Sequence, residues 1–193
     1  MSMWMKRLII CGIGLILLSP IIRADEYRAG ISGGYFFPSE KAFRKIYGTG
    51  IMFGLDIGRN IWKDIELHLE IRYYSKKGQL TLTKERTRVK LTPLALSSRY
   101  IFLKKKINLY GGAGLSFNSF EEKNPIGRVK ESKLGFLMKI GGFKRVKGFK
   151  KIIKVVIIDA YLNYHYCKMK PAEIRFDAGG FELGIAFGTE FSI

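Results

Sequence analysis

Few residues of this chain are equipped for chemistry, and their spacing argues against most of it. The histidines are His68 and His165, and beyond residue 24 one cysteine remains, Cys167. A tightly held ion such as zinc needs three or four such ligands at short, regular spacing, so no metal and no other cofactor is expected. His165 and Cys167 stand two apart and share a face of any strand that carries them, which reads as packing. Hydrolysis by a nucleophile needs a base in reach of it. No Gly-x-Ser-x-Gly elbow is present, nothing singles out a serine or aspartate as a partner for His165, and no catalytic residue is expected.

What the chain has in excess is positive charge. Lys and Arg number 34 against 16 Asp and Glu, a formal +18. The charges fall in two settings. Arg28, Asp56, Glu66, Glu70, Arg72, Arg99, Lys139, Asp159, Glu182 and Glu190 alternate with apolar residues inside regular segments, and there both signs occur. Lys76, Lys77, Lys84, Arg128, Lys168 and Lys170 lie with other cations in polar connections. Lysine meets phosphate as a point charge and arginine as a fork. Nucleic acid also attracts such charge. An export leader and the lack of a stacking platform argue against that partner.

The elements that carry these residues follow from patterning. At 193 residues, 47% hydrophobic and with two cysteines, the chain is neither disordered nor a disulfide scaffold. Residues 1–24 have the layout of a secretory signal peptide: Lys6 and Arg7, an apolar run from Leu8 to Leu18, Pro20, and Ala24 before Asp25. The run is shorter than the ~18 residues a spanning helix needs, which favours cleavage over a retained anchor. Bulky Ile10 before Cys11 argues against a lipid anchor. Removal of the leader lowers the formal charge from +18 to +15 and leaves a domain over 25–193.

In that domain the hydrophobic period is 2, not 3.6. Phe181, Leu183, Ile185, Phe187, Thr189, Phe191 and Ile193 alternate with Gly180, Glu182, Gly184, Ala186, Gly188, Glu190 and Ser192. The same alternation predicts strands over 27–37, 51–58, 65–74, 94–102, 107–117, 134–140 and 156–166. Val89 and Leu91 hold the opposite parity to Leu94 and Leu96, so a bulge is expected at Pro93, where a ladder N–H is dispensable. Tight turns at 60–64, 104–106 and 144–151 alternate with long polar loops at 38–47, 76–86, 121–132 and 168–178. Eight strands so connected predict an all-β, eight-stranded, antiparallel up-and-down barrel.

Steric argument decides which face points out. The bore of an eight-stranded barrel is just wide enough for side chains to fill. The glycine, serine and charged face fits it, and the large apolar face fits lipid. Strands of about 9–11 residues, tilted about 45°, cross a bilayer. Tyr27, Trp62, Tyr73, Tyr100, Phe102, Tyr164, Tyr166 and Phe191 fall near strand ends, where aromatic girdles form. The ten charges of the first group are then expected to pair within a plugged lumen.

With its leader, its glycine-rich strands GISGGYF and LYGGAGLSF, and its terminal FELGIAFGTEFSI, the chain resembles the small outer-membrane β-barrel proteins, similar in plan to OmpX and the transmembrane domain of OmpA. The family usually ends in Phe or Trp, and this chain ends in Ile193. The resemblance implies a monomeric transmembrane barrel in the outer membrane of a Gram-negative-type bacterium, assembled by the barrel-assembly machinery through its C-terminal strand. A structural or surface-binding role is expected, with basic loops level with lipopolysaccharide phosphates and Lys76, Lys77, Lys84, Arg128, Lys168 and Lys170 as candidate contacts. Two other readings stay open on the residues alone: a barrel enzyme acting on lipid A or peptide, and a secreted soluble barrel carrying a hydrophobic ligand.

Overall fold

The computed structural model describes residues 27–80, 85–147, 155–170 and 176–191. The leader expected at 1–24, Lys84 and Ile193 lie outside these. Strands β1 (Tyr27–Pro38), β2 (Gly50–Trp62), β3 (Ile65–Gln79), β4 (Arg86–Lys104), β5 (Asn108–Asn124), β6 (Gly127–Lys147), β7 (Val155–Tyr166) and β10 (Gly180–Phe191) form a closed antiparallel barrel. Each pairs with its sequence neighbour, and β1 meets β10 from Tyr27↔Phe191 to Pro38↔Gly180 to complete the ring. A short ladder of β8 (Lys168–Met169) and β9 (Phe176–Asp177) and a helix, α1 (Lys41–Tyr47), sit at the long-loop end.

The apolar face points out. Ile31, Phe53, Leu115, Leu183 and Ile140 are about 60% exposed, whereas Glu70 and Glu182 are at 1% or less. In water such a belt would be a very large contiguous apolar patch. Against acyl chains it is the favourable surface, and the closed ring pairs the backbone groups of the strands internally. Aromatic pairs mark both edges: Tyr27 stacks on Phe191 at the short-turn end, with Trp62 and Tyr100 exposed there, and Tyr164 meets Phe181 at the other.

Three expectations need correction. The first is the parity switch at Pro93. Leu94 pairs with Phe117, Pro93 with Asn118 and Thr92 with Ser119, so the ladder runs through in register with no bulge. Irregularities occur instead at 60/62 and 101/103. Val89 and Leu91 keep the inward parity of Ser97 and Arg99 and are buried. Their apolar character means that the bore is apolar at that level.

The second correction concerns the long loops. The expected loops at 76–86 and 121–132 are largely paired strand, with Gln79 opposite Arg86 and Asn124 opposite Gly127. Two residues, Pro125 and Ile126, make the latter turn, and the Asn124 side-chain oxygen accepts from the Ile126 and Gly127 N–H groups at 3.1 and 2.9 Å. Strands β4, β5 and β6 therefore reach 19, 17 and 21 residues and project well beyond the apolar belt.

The third is α1, expected as loop. Phe43 and Tyr47 lie four apart and face inward together, while Lys41, Arg44 and Lys45 face out. Gly48 ends the helix at φ 69°, a conformation that favours glycine, and its N–H bonds Arg44 O at 2.8 Å. The Tyr47 hydroxyl hydrogen-bonds that of Thr87 at 2.9 Å, which fastens α1 to β4.

Candidate functional site

The bore is layered. At the long-loop end Phe36, Phe43, Tyr47, Tyr74, Val89, Leu91 and Phe120 form an apolar plug beneath α1 and the β8–β9 ladder. At the short-turn end Ile101, Tyr110, Phe143 and Ile157 form a smaller one. Ionised side chains fill the middle, so the polar lumen expected from sequence is a central layer, not the whole bore.

That layer consists of two nests, each with two cations against two anions. In one, Arg72 donates to Glu182 Oε1 at 2.8 Å and to Glu70 Oε2 at 2.9 Å, and Lys139 Nζ donates to Glu70 Oε1 at 2.6 Å. Ser97, Tyr161 and Asn163 donate into the same carboxylates at 2.8 to 3.1 Å. In the other, Arg28 and Arg99 both reach Asp159 Oδ2, at 3.0 and 3.3 Å, and Arg99 Nε donates to Glu66 at 2.5 Å. Tyr110 OH donates to Asp159 at 3.0 Å. Buried charges of this kind need such pairing to be tolerated.

Asp56 lies beside His68, whose other ring nitrogen is 3.0 Å from Glu66. Glu190 stands at the edge, paired with Arg145 at 2.8 Å. All ten residues of the inward charge group are therefore in the bore or at its short-turn rim. Sequence reading missed the neutral partners Ser97, Tyr110, Tyr161 and Asn163, although each shares the inward parity. It also missed Phe143, over whose ring the guanidinium groups of Arg28, Arg99 and Arg145 lie 5.0 to 5.2 Å from the centroid.

The bore glycines make room for this packing. A Cβ on Gly34 would stand 2.6 Å from Glu182 Oε1, so only glycine lets that carboxylate lie against β1. Two cavities lined by bore residues hold about 10 Å³ each, room for at most one water. That geometry contradicts the soluble carrier: the apolar face is outside, and charged and aromatic side chains occupy the bore. His165 faces Glu182, 3.5 Å away, and Ser97 is committed to Glu70. Among the described residues no cluster of three His, Cys, Asp or Glu could hold a metal.

The cations expected in the loops spread over the long-loop rim. Lys77 lines an open cleft of about 960 Å³ between α1 and the tips of β3, β4 and β5. Lys76 faces inward near Gly50. Lys168 and Lys170 border a second depression with Lys133, and the Lys170 N–H is held by Glu131 at 2.8 Å. Arg128 pairs with Glu121 at 2.6 Å and holds that carboxyl below the ordinary range.

No protein-family model and no curated protein matches the chain. Solved structures do. The outer membrane protein OprG from Pseudomonas aeruginosa is similar with a TM-score of 0.68 at 13% identity, over 89% of this chain and 98% of that one. Neisserial surface protein A is similar at 0.60 and 15%, over 88% and 98%. Ail of Yersinia pestis, in complex with the heparin analogue sucrose octasulfate, is similar at 0.54 and 15%, over 86% and 98%. With its lipid-facing belt and filled bore, this chain has the fold of the small eight-stranded outer-membrane β-barrels.

Proposed function

We propose that the chain is a monomeric, non-enzymatic outer-membrane barrel with a structural or surface-binding role, whose basic long-loop rim contacts the phosphates of lipopolysaccharide. The observation that carries this reading is the contrast between bore and rim. Bore charges are balanced and enclosed, which supports a scaffold and argues against a pore. Rim cations are exposed in numbers that acids do not match. The leader would export the chain, and β10 would present it to the barrel-assembly machinery. A ring without a free strand edge favours a monomer. The polyanion bound by Ail supports a polyanionic ligand for a rim of this kind. Lys76, Lys77, Lys84, Arg128, Lys168 and Lys170 are the proposed contacts.

The test titrates lipopolysaccharide into the folded barrel in neutral detergent. Binding is expected to weaken steeply toward about 1 M salt, where the screening length falls to about 3 Å. Lys76→Glu/Lys77→Glu is expected to weaken it further at low salt. Binding that ignores both salt and charge reversal overturns the reading. A changed lipid A mass profile on overexpression would favour an enzyme instead.

A further inference from the structure

Strand register brings together four cations that the sequence keeps apart. Lys77 of β3 pairs with Arg88 of β4, Arg88 with Lys123 of β5, and Lys123 with Arg128 of β6. Directly opposed residues of antiparallel strands share a face, with Cβ atoms about 4.5–5.5 Å apart, and like charges so placed destabilise the pair. All four side chains are exposed on the outward face. Among the described residues only Arg128 is relieved, by Glu121 at 2.6 Å, and none of Lys77, Arg88 and Lys123 lies within ion-pair distance of a carboxylate. The row beneath is built differently: Lys90 and Lys130 flank Glu121, an acid between two bases.

The unrelieved row borders the 960 Å³ cleft, into which Lys45 and Arg86 also project, with no acidic side chain among its described lining residues. Its height is fixed by the strands. Ile71, Leu94, Phe117 and Leu134 form the top apolar row of β3 to β6, and Thr92, Ser119 and Ser132 follow. Lys77 is six residues past Ile71, about 20 Å of strand at 3.3 Å per residue. The row thus stands beyond the acyl chains and faces sideways, toward whatever surrounds the barrel above the lipid.

We propose that this cross-strand row and its cleft form one binding site for a saccharide that carries two or more phosphate or sulfate groups. The ligand supplies the negative charge that the row lacks, and Arg88 offers a fork to an anion. The inference rests on the reading of the rim as anion-binding and assigns that binding to one place. Such a ligand comes either from the core sugars of surrounding glycolipid or from a free polyanion outside the cell.

The experiment uses the full folded barrel in neutral detergent and three probes: lipooligosaccharide with its core phosphates, the same after their removal, and sucrose octasulfate. The row variant is Lys77→Gln/Arg88→Gln/Lys123→Gln. A control of equal charge loss, at exposed rim cations outside the cleft, is Lys41→Gln/Arg44→Gln/Lys133→Gln. The row variant should lose about tenfold or more in affinity, equivalent to about 1.4 kcal/mol, while the control stays within about twofold. Loss confined to core-phosphorylated lipooligosaccharide identifies the membrane source, and loss on sucrose octasulfate the free one. Equal loss in both variants overturns the assignment to this row and leaves the basic rim standing. No loss in either overturns both. Without ligand the row variant should melt above its parent, because repulsion is relieved, and a lower melting temperature overturns the claim that the row opposes itself.

Discussion

Arg72→Met is expected to destabilise the barrel by about 3–5 kcal/mol, the usual cost of stranding buried charge by removal of one partner. Arg72 joins Glu70 to Glu182 and lies against the Tyr161 ring. Without it the nest changes from two cations and two anions to one cation and two anions. Lys139 and Ser97 still serve Glu70, but Glu182 keeps only neutral donors and His165. Arg72→Met/Glu182→Gln restores the balance, and glutamine keeps the shape of Glu182, so the double variant should recover at least half of the loss. Urea unfolding from neutral vesicles reads both variants, and their coupling reports the pair. A loss below about 0.5 kcal/mol for the single variant, the range of an ordinary surface change, would mean that the bore is wet and its charges are solvated.

This layer was legible in the sequence because period 2 fixes parity. Once Gly34, Glu70 and Glu182 fall on the face opposite Leu69 and Leu183, a narrow bore leaves them no other place. Parity cannot tell which side chains meet across the bore. That depends on the stagger of strands distant in sequence, and so the union of Arg72 with Glu182 and of Arg28 with Asp159 could not be read. The row from Lys77 to Arg128 was hidden for another reason: 76–86 and 121–132 read as polar loops, and a loop has no register to bring Lys77, Arg88, Lys123 and Arg128 side by side.

Where the interior turns apolar, parity misleads. Val89 and Leu91 point into the plug, yet they read as lipid-facing residues out of phase, because a strand pattern carries no record of depth. The α1 signals were present, with Phe43 and Tyr47 at helical spacing and Gly48 behind them. Seven residues are too few for a period to stand out, and the helix holds its place through the plug.

Met138→Arg tests the outer face as sharply as Arg72→Met tests the inner one. Met138 is 59% exposed near the middle of the run Leu134, Phe136, Met138 and Ile140, with Ala113 and Tyr164 beside it in register. On a protein in water, arginine at so open a position would change stability by no more than about 0.5 kcal/mol. At the midplane of a bilayer it should cost about 2–4 kcal/mol, because the guanidinium must leave water or drag water inward. The same substitution at Lys130, on β6 but above the apolar belt, should cost almost nothing, since that side chain is already exposed and charged. Unfolding from vesicles is therefore expected to separate the two positions although both are open to the surroundings. If Met138→Arg proved as stable in vesicles as its parent, the belt would not be touching acyl chains, and the outward face would need another partner to cover it.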